Sequence, residues 1–364
     1  MTKKILFILC LAFTMHANAQ NYNLLIGTYT NKGTSEGIYV YDYNLKTAET
    51  KLKSVTKTTN PSYLAISANK KFVYCVNEDG KSSTVSAFDF KSKSGTLKFL
   101  NKIPSGGADP CYITTIGPRI MAANYSGGSI ATFWTTSNGF TGASQVVQHT
   151  GKSIDPKRQL SAHVHQVQPT PDKKYVVATD LGEDQIYIYA YGEGHGRKLV
   201  PHKIIKTNPG SGPRHLTFSN DGKFAYLVHE FNGKITAFAY SDGNLTKIQE
   251  IETTRKDFTG KIDGADIHVS TDGKFLYETN RGDANSINVF AIDSDGMLEL
   301  IESVSTLGKG PRNFAIDPSG NFLLVAHQYT NDVVIFNRNQ TSGKLTDSGK
   351  RISVGAPVCL VFSK

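Results

Sequence analysis

The 364-residue chain holds one tryptophan and four cysteines, and beyond its N-terminus it has no run of eighteen apolar residues. The last absence excludes a membrane-spanning helix in the body of the chain. Cys10 lies in the N-terminal apolar run, so Cys75, Cys111 and Cys359 remain, an odd number with neither a disulfide framework nor a metal-binding spacing. Each sits in an apolar stretch and reads as a buried free thiol. Sustained helical periodicity is missing too. The formal charge of +9 is scattered, with no lysine or arginine block and no helix to carry one, so nucleic-acid binding is not indicated. No Ser/His/Asp arrangement can be placed, which leaves covalent acyl-enzyme chemistry unsupported.

What is present begins with a leader. Lys3 and Lys4 precede the apolar segment Ile5–Phe13, and Ala17-Asn18-Ala19 offers an A-x-A cleavage site. Residues 1–19 are therefore expected to be a secretory signal peptide, and residues 20–364 one domain that is exported, periplasmic or extracellular, with no membrane span once the signal is cleaved. Tyrosine and phenylalanine, 17 and 19 residues, favour strands.

Gly210–Gly233, GSGPRHLTFSNDGKFAYLVHEFNG, shows how the body is built. Leu216 and Phe218 alternate before an Asp-Gly turn, and Phe224, Tyr226 and Val228 alternate after it, the pattern of a β-hairpin. The same unit recurs about every 50 residues, starting at Pro61, Pro110, Val164, Pro213, Gly264, Pro311 and Pro357. A full unit runs through a first strand (RHLTF), a turn (NDGK), a second strand (FAYLVH), a third (KITAFAY) and a Gly-x-Leu turn into a fourth. The unit at Pro110 departs, with a shortened GPR turn. Four strands per repeat make a propeller blade. Pro357–Phe362 is a first strand with nothing after it, whereas Leu24–Thr30 and Gly37–Tyr43 are second and third strands with nothing before them. The expected fold is all-β, a seven-bladed β-propeller whose last blade is closed by strands from both termini.

Equivalent positions of a propeller share one height on the ring. The second residue of each repeat is Ser62, Cys111, His165, Arg214, Ala265, Arg312 and Val358. The position after the second strand holds Glu78, Leu181, Glu230, Arg281 and Gln328, with His163, His229 and His327 close by in sequence. Both rings are expected to face one mouth of the central channel. Arginine forks there would bind carboxylate or phosphate and stabilise an oxyanion. A histidine or carboxylate would serve as general base. His215 and His268 lie on strands and read as packed. His163-Val-His165 places its imidazoles on opposite faces of a strand, a poor metal chelate, and no metal site is expected.

Several segments then resemble the seven-bladed β-propeller lactonase family, whose members include 6-phosphogluconolactonases and carboxy-muconate cyclases. They are IGTYT at Ile26–Thr30, AHVHQVQPTPDKKYVVATDLGEDQI at Ala162–Ile186, GSGPRHLTFSNDGKFAYLVHE at Gly210–Glu230, DIHVSTDGKFLYETNRGDANSINVF at Asp266–Phe290 and GPRNFAIDPSGNFLLVAHQ at Gly310–Gln328. The likeness covers nearly the whole chain after the leader. It implies a small-molecule lactone, anionic in character, no cofactor, and a catalytic set of His165, Glu230, Arg214 and Arg281, with the repeat register choosing His165 over His163. His163, Arg312, His229, Glu78 and Gln328 are then expected to bind substrate, and the protein to act as a monomer. The implied reaction is lactone hydrolysis. A lactone-forming cyclase with the same residues and a propeller that binds without turnover are the alternatives. An exported chain suits a non-phosphorylated sugar lactone better than a cytosolic sugar phosphate.

Overall fold

A computed structural model describes residues 21–31, 33–192, 194, 196–254 and 257–364. The proposed signal peptide lies outside the described residues. The strands form seven four-stranded antiparallel sheets, the seven blades of an all-β propeller. Blades one to six run in chain order over residues 64–104, 110–148, 164–206, 213–252, 264–305 and 311–353. The seventh joins Pro357–Ser363 to Asn21–Thr28, Gly37–Asn44 and Thr50–Lys57, with Leu25 opposite Val361 and Ile26 opposite Leu360. Pairing the two ends removes two open sheet edges that would otherwise be free to aggregate.

Each blade buries both faces of its inner strands. Phe322–His327 and Arg119–Asn124 are buried at every residue, whereas the outer strand Thr50–Lys57 is half-buried or exposed throughout. The cores lie between blades. Tyr226, Val228 and Ile235 of blade four pack on Ile267, Leu276 and Phe290 of blade five. Each such side chain contributes about 1.5–3 kcal/mol. The turn between the first two strands needs a left-handed residue. Gly222 supplies it at φ 73°, and Lys70 and Lys173 fill the same place in ANKK and PDKK at φ 59°.

One irregularity positions the site. In blade three Val164 pairs with Asp180 and Gln166 with Thr179, leaving His165 unpaired. The same slip skips Arg214 between Pro213 and His215, Arg312 between Pro311 and Asn313, and Cys111 between Pro110 and Tyr112. These β-bulges release one residue per innermost strand and re-aim it. A second repeated contact sets the other ring. The N–H groups of Tyr29, Glu78, Tyr125, Leu181, Glu230, Arg281 and Gln328 donate to the carbonyls of Ala356, Asn60, Asp109, His163, Gly212, Asp263 and Gly310. Seven equivalent residues, one per blade, are thus tied to the start of their own blade's first strand.

Candidate active site

The two rings meet at one mouth of the channel, in a pocket of about 260 Å³ whose lining includes Glu78, Cys111, Tyr125, Arg158, His165, Glu230, Arg281 and Arg312. Glu230 is its electrostatic centre. It is 4 % exposed. Its Oε2 accepts from Arg214 Nε at 3.1 Å and Arg281 Nη2 at 3.0 Å, and its Oε1 from Arg158 Nη2 at 2.6 Å. Burial works to raise its pKa, but the charges of Arg281, Arg214 and Arg158 outweigh burial and bring it down to about 2. Glu230 is therefore a fixed anion that organises three guanidinium groups.

His165 is the opposite case. Burial, reinforced by the nearby Arg214, His215, Arg312 and Arg281, holds its pKa well below 6.5, so the imidazole is neutral at pH 7. Its Nδ1 lies 3.8 Å from Cys111 Sγ, and its ring meets Tyr125 edge-on at 5.6 Å. Among the described residues its Nε2 has no hydrogen-bond partner, and it lines the pocket. A neutral imidazole nitrogen open to a cationic pocket can take a proton from water.

The arginines divide by depth. Arg214 is 2 % exposed, with its fork spent on Glu230 and the Ala265 carbonyl. It is not among the residues lining the 260 Å³ pocket and lines instead a small adjoining cavity that shares Glu78, Cys111 and Arg312 with it. Burial, with Arg281 and Arg312 nearby, lowers its pKa to about 10. Arg281 lines the pocket, with Nη2 held by Glu230 and by Asp263 at 2.7 Å. Arg312 makes no hydrogen bond to any described residue and lies 5.6 Å from the Tyr29 ring centroid. Its guanidinium faces the pocket with donors to spare. Glu78 accepts from Tyr29 at 3.0 Å and from Ser62. Burial raises its pKa, opposed by Arg312.

Three expected ligand residues are placed elsewhere. His229 is buried inside its blade, with Nε2 2.8 Å from Thr236 Oγ1. It is the last residue of the strand Phe224–His229 and is not among the residues lining the pocket. His163 stacks on Tyr125 at 4.5 Å with Nδ1 3.0 Å from the Tyr125 carbonyl, a support for that ring. Gln328 lines a neighbouring cleft of about 400 Å³ that it shares with Tyr29, Glu78 and Arg312. His327 is buried beside Asp332. His215 and His268 are packed on Asp266, at 2.8 and 3.0 Å.

Four lining residues were not expected, Asp109, Tyr125, Ser126 and Arg158. Tyr125 holds the Glu230 position of blade two, hidden because the GPR turn shortens the offset from the repeat start. Arg158 stands on residues 149–163, the longest connection between blades, which no repeat register reaches. Gly33–Gly37 spells G-x-S-x-G, yet Ser35 is buried with its Oγ 2.5 Å from Thr28 Oγ1, and it offers no nucleophile. Cys75, Cys111 and Cys359 are buried free thiols. Among the described residues, one group could hold a metal ion, His149, Asp180 and Glu183. Its atoms already bond one another, Tyr187, Tyr189 and the Gly151 N–H, and it lies outside the pocket.

Comparison with known proteins follows the same line. The family described as "Lactonase, 7-bladed beta-propeller" matches residues 23–362. The chain is 37 % identical to a 6-phosphogluconolactonase of Formosa agariphila over 88 % of this chain and 94 % of that one. It is 35 % identical to the 6-phosphogluconolactonase of Bacillus subtilis over 93 % and 97 %. Among solved structures, the periplasmic gluconolactonase of Pseudomonas aeruginosa superposes with a TM-score of 0.91 at 36 % identity, covering 94 % of this chain and 99 % of that one.

Proposed function

The chain belongs to the seven-bladed β-propeller lactonase family, and on that premise we propose that it hydrolyses a sugar-derived lactone at the arginine-ringed channel mouth. The observation that carries this is the neutral His165 imidazole in a pocket where Arg281 and Arg312 supply positive charge. Water oxygen attacks the lactone carbonyl while His165 Nε2 takes the water proton. Arg281 stabilises the oxyanion. The intermediate collapses with rupture of the ring C–O bond, and the proton on His165 passes to the departing alkoxide. The product is a hydroxy acid, which ionises at neutral pH and releases one proton to solvent. Glu230 keeps Arg281 and Arg158 aligned and is no proton acceptor itself.

Export is part of the reading. The Lys3–Ala19 leader supports it, as does kinship with a periplasmic gluconolactonase. A non-phosphorylated sugar lactone then suits the compartment, and the relatives' names make the 6-phosphate the necessary comparison. The test is proton release by residues 20–364 in weak buffer with glucono-δ-lactone and its 6-phosphate, spontaneous opening subtracted. Catalysed opening of either lactone, abolished in His165→Gln, is the expected result. No acceleration of either would sink hydrolysis of these substrates and favour lactone formation or binding without turnover.

A further inference from the structure

The long connection before blade three is rigid around a free side chain. Asp155 Oδ1 accepts the N–H groups of Lys157 at 2.8 Å and Arg158 at 3.0 Å. Gln159 is fully buried, donating from Nε2 to the Leu181 carbonyl at 2.8 Å and accepting the Asp155 N–H at 3.1 Å. The backbone that carries Arg158 is thus pinned on both sides. From it the side chain reaches over the channel mouth to blades two and four. Its Nη2 donates to Tyr125 Oη at 3.1 Å and Glu230 Oε1 at 2.6 Å, and its guanidinium carbon lies 4.8 Å from the Phe231 ring centroid.

Only one nitrogen of the fork is used. Among the described residues, Nε and Nη1 have no partner, and the side chain is 43 % exposed while that of Glu230 is 5 % exposed. The pocket also contains Arg312, with no hydrogen bond to any described residue. Two guanidinium groups with donors to spare lining one pocket, one of them held in place by a buried carboxylate, make a pre-organised receptor for an oxyanion.

We propose that Arg158 is the residue that selects lactones bearing an anionic group, gripping that group at the rim together with Arg312. This rests on the lactonase reading and assigns its specificity. Arg158 is a positioning residue. It touches the remote end of the substrate, and the anion it holds sets which face of the lactone meets His165. A tetrahedral phosphoryl group and a planar carboxylate present the same chemistry to the fork, so both are tested.

The experiment compares wild type, Arg158→Ala and Arg158→Lys on glucono-δ-lactone, its 6-phosphate and glucaro-1,4-lactone. In Arg158→Ala the ratio of kcat/KM for a charged lactone to that for the neutral one is expected to fall about 10- to 100-fold, the loss of a charge-assisted hydrogen bond. The fall should come mainly through KM. Arg158→Lys, which keeps the charge without the fork, should recover part of it. The charged lactone with the larger fall identifies the anion. An unchanged ratio for both charged lactones, or a fall confined to kcat, overturns the proposal. If wild type opens none of the three, the hydrolase reading fails, and calorimetry with inorganic phosphate decides the clamp separately. Phosphate binding weakened at least tenfold in Arg158→Ala sustains it. Equal affinity, or no binding to wild type, overturns it.

Discussion

Replacing Glu230 by glutamine removes one charge and almost no volume, and the structure gives the size of the effect by two routes. Arg214 would lose its ion pair and keep the Ala265 carbonyl, while Arg281 would keep Asp263. Leaving a buried charge unpaired costs about 3–5 kcal/mol. Alternatively, the Glu230 pKa falls from 4.5 to about 2, and each unit of such a shift is worth about 1.4 kcal/mol, or roughly 3 kcal/mol in all. The two agree. Unfolding entropy near 2.1 cal/mol/K per residue gives a chain of this length about 0.7 kcal/mol/K, so Glu230→Gln should lower Tm by about 4–7 °C at pH 7. Scanning calorimetry measures it. Because the folded pKa is depressed, the stabilisation is present above pH 4.5 and is lost as pH falls through about 2. The gap between wild type and Glu230→Gln should therefore close on acidification. Combining Glu230→Gln with Arg214→Met removes both charges and should recover at least half the loss. A Tm within 1 °C of wild type at pH 7, or a gap that widens in acid, would refute the electrostatic account of the site.

Other consequences follow from the same geometry. The acid limb of kcat/KM should lie well below pH 6.5, because His165 must be protonated to be silenced and its surroundings resist that; His165→Gln should lower kcat about 10²- to 10⁴-fold, measured by proton release at fixed pH. Glu278 is fully buried, with one bond to Asn288 at 2.7 Å, and burial raises its pKa to about 8. Its folded pKa is raised, so stability is complete below pH 4.5 and declines as pH climbs to about 8, by roughly 4–5 kcal/mol in total; Glu278→Gln should flatten that part of the urea-stability profile. Deleting residues 357–363 removes the innermost strand of blade seven, and the truncated chain should lose cooperative unfolding and bind a hydrophobic dye.

The fold was legible because its signal is repetition. Alternating strands and Asp-Gly turns recur, and Leu24–Thr30 visibly lacked the first strand that Pro357–Phe362 supplies. The same register located His165, Glu230, Arg281, Arg312 and Glu78 at one mouth. It could not report depth, so it did not separate Arg214, which lines a small adjoining cavity, from Arg312, its equivalent in register, which lines the pocket. Neighbourhood in sequence misled for His229, which ends its strand with its imidazole bonded to Thr236 inside the blade, whereas Glu230 lies past the strand's end. Arg158 was invisible, because an insertion between repeats has no equivalent position to compare with. Tyr125 was recoverable, had the two-residue deficit of the GPR turn been corrected.

The slip in the innermost strands has a consequence for what such a scaffold can become. Residues held in the ladder answer to two neighbours and to the blade behind them, so their identity is constrained by fit. The skipped residue stands outside the ladder and answers instead to its neighbours around the channel, as Arg214 does to Glu230 and the Ala265 carbonyl. Cysteine, histidine, arginine and valine occupy it in different blades of this one chain, at Cys111, His165, Arg214, Arg312 and Val358. The ring around the axis is in effect a set of letters that can be rewritten individually while the grammar of each blade stays intact. A new chemistry at this mouth would require changes at a few such letters, with no new architecture.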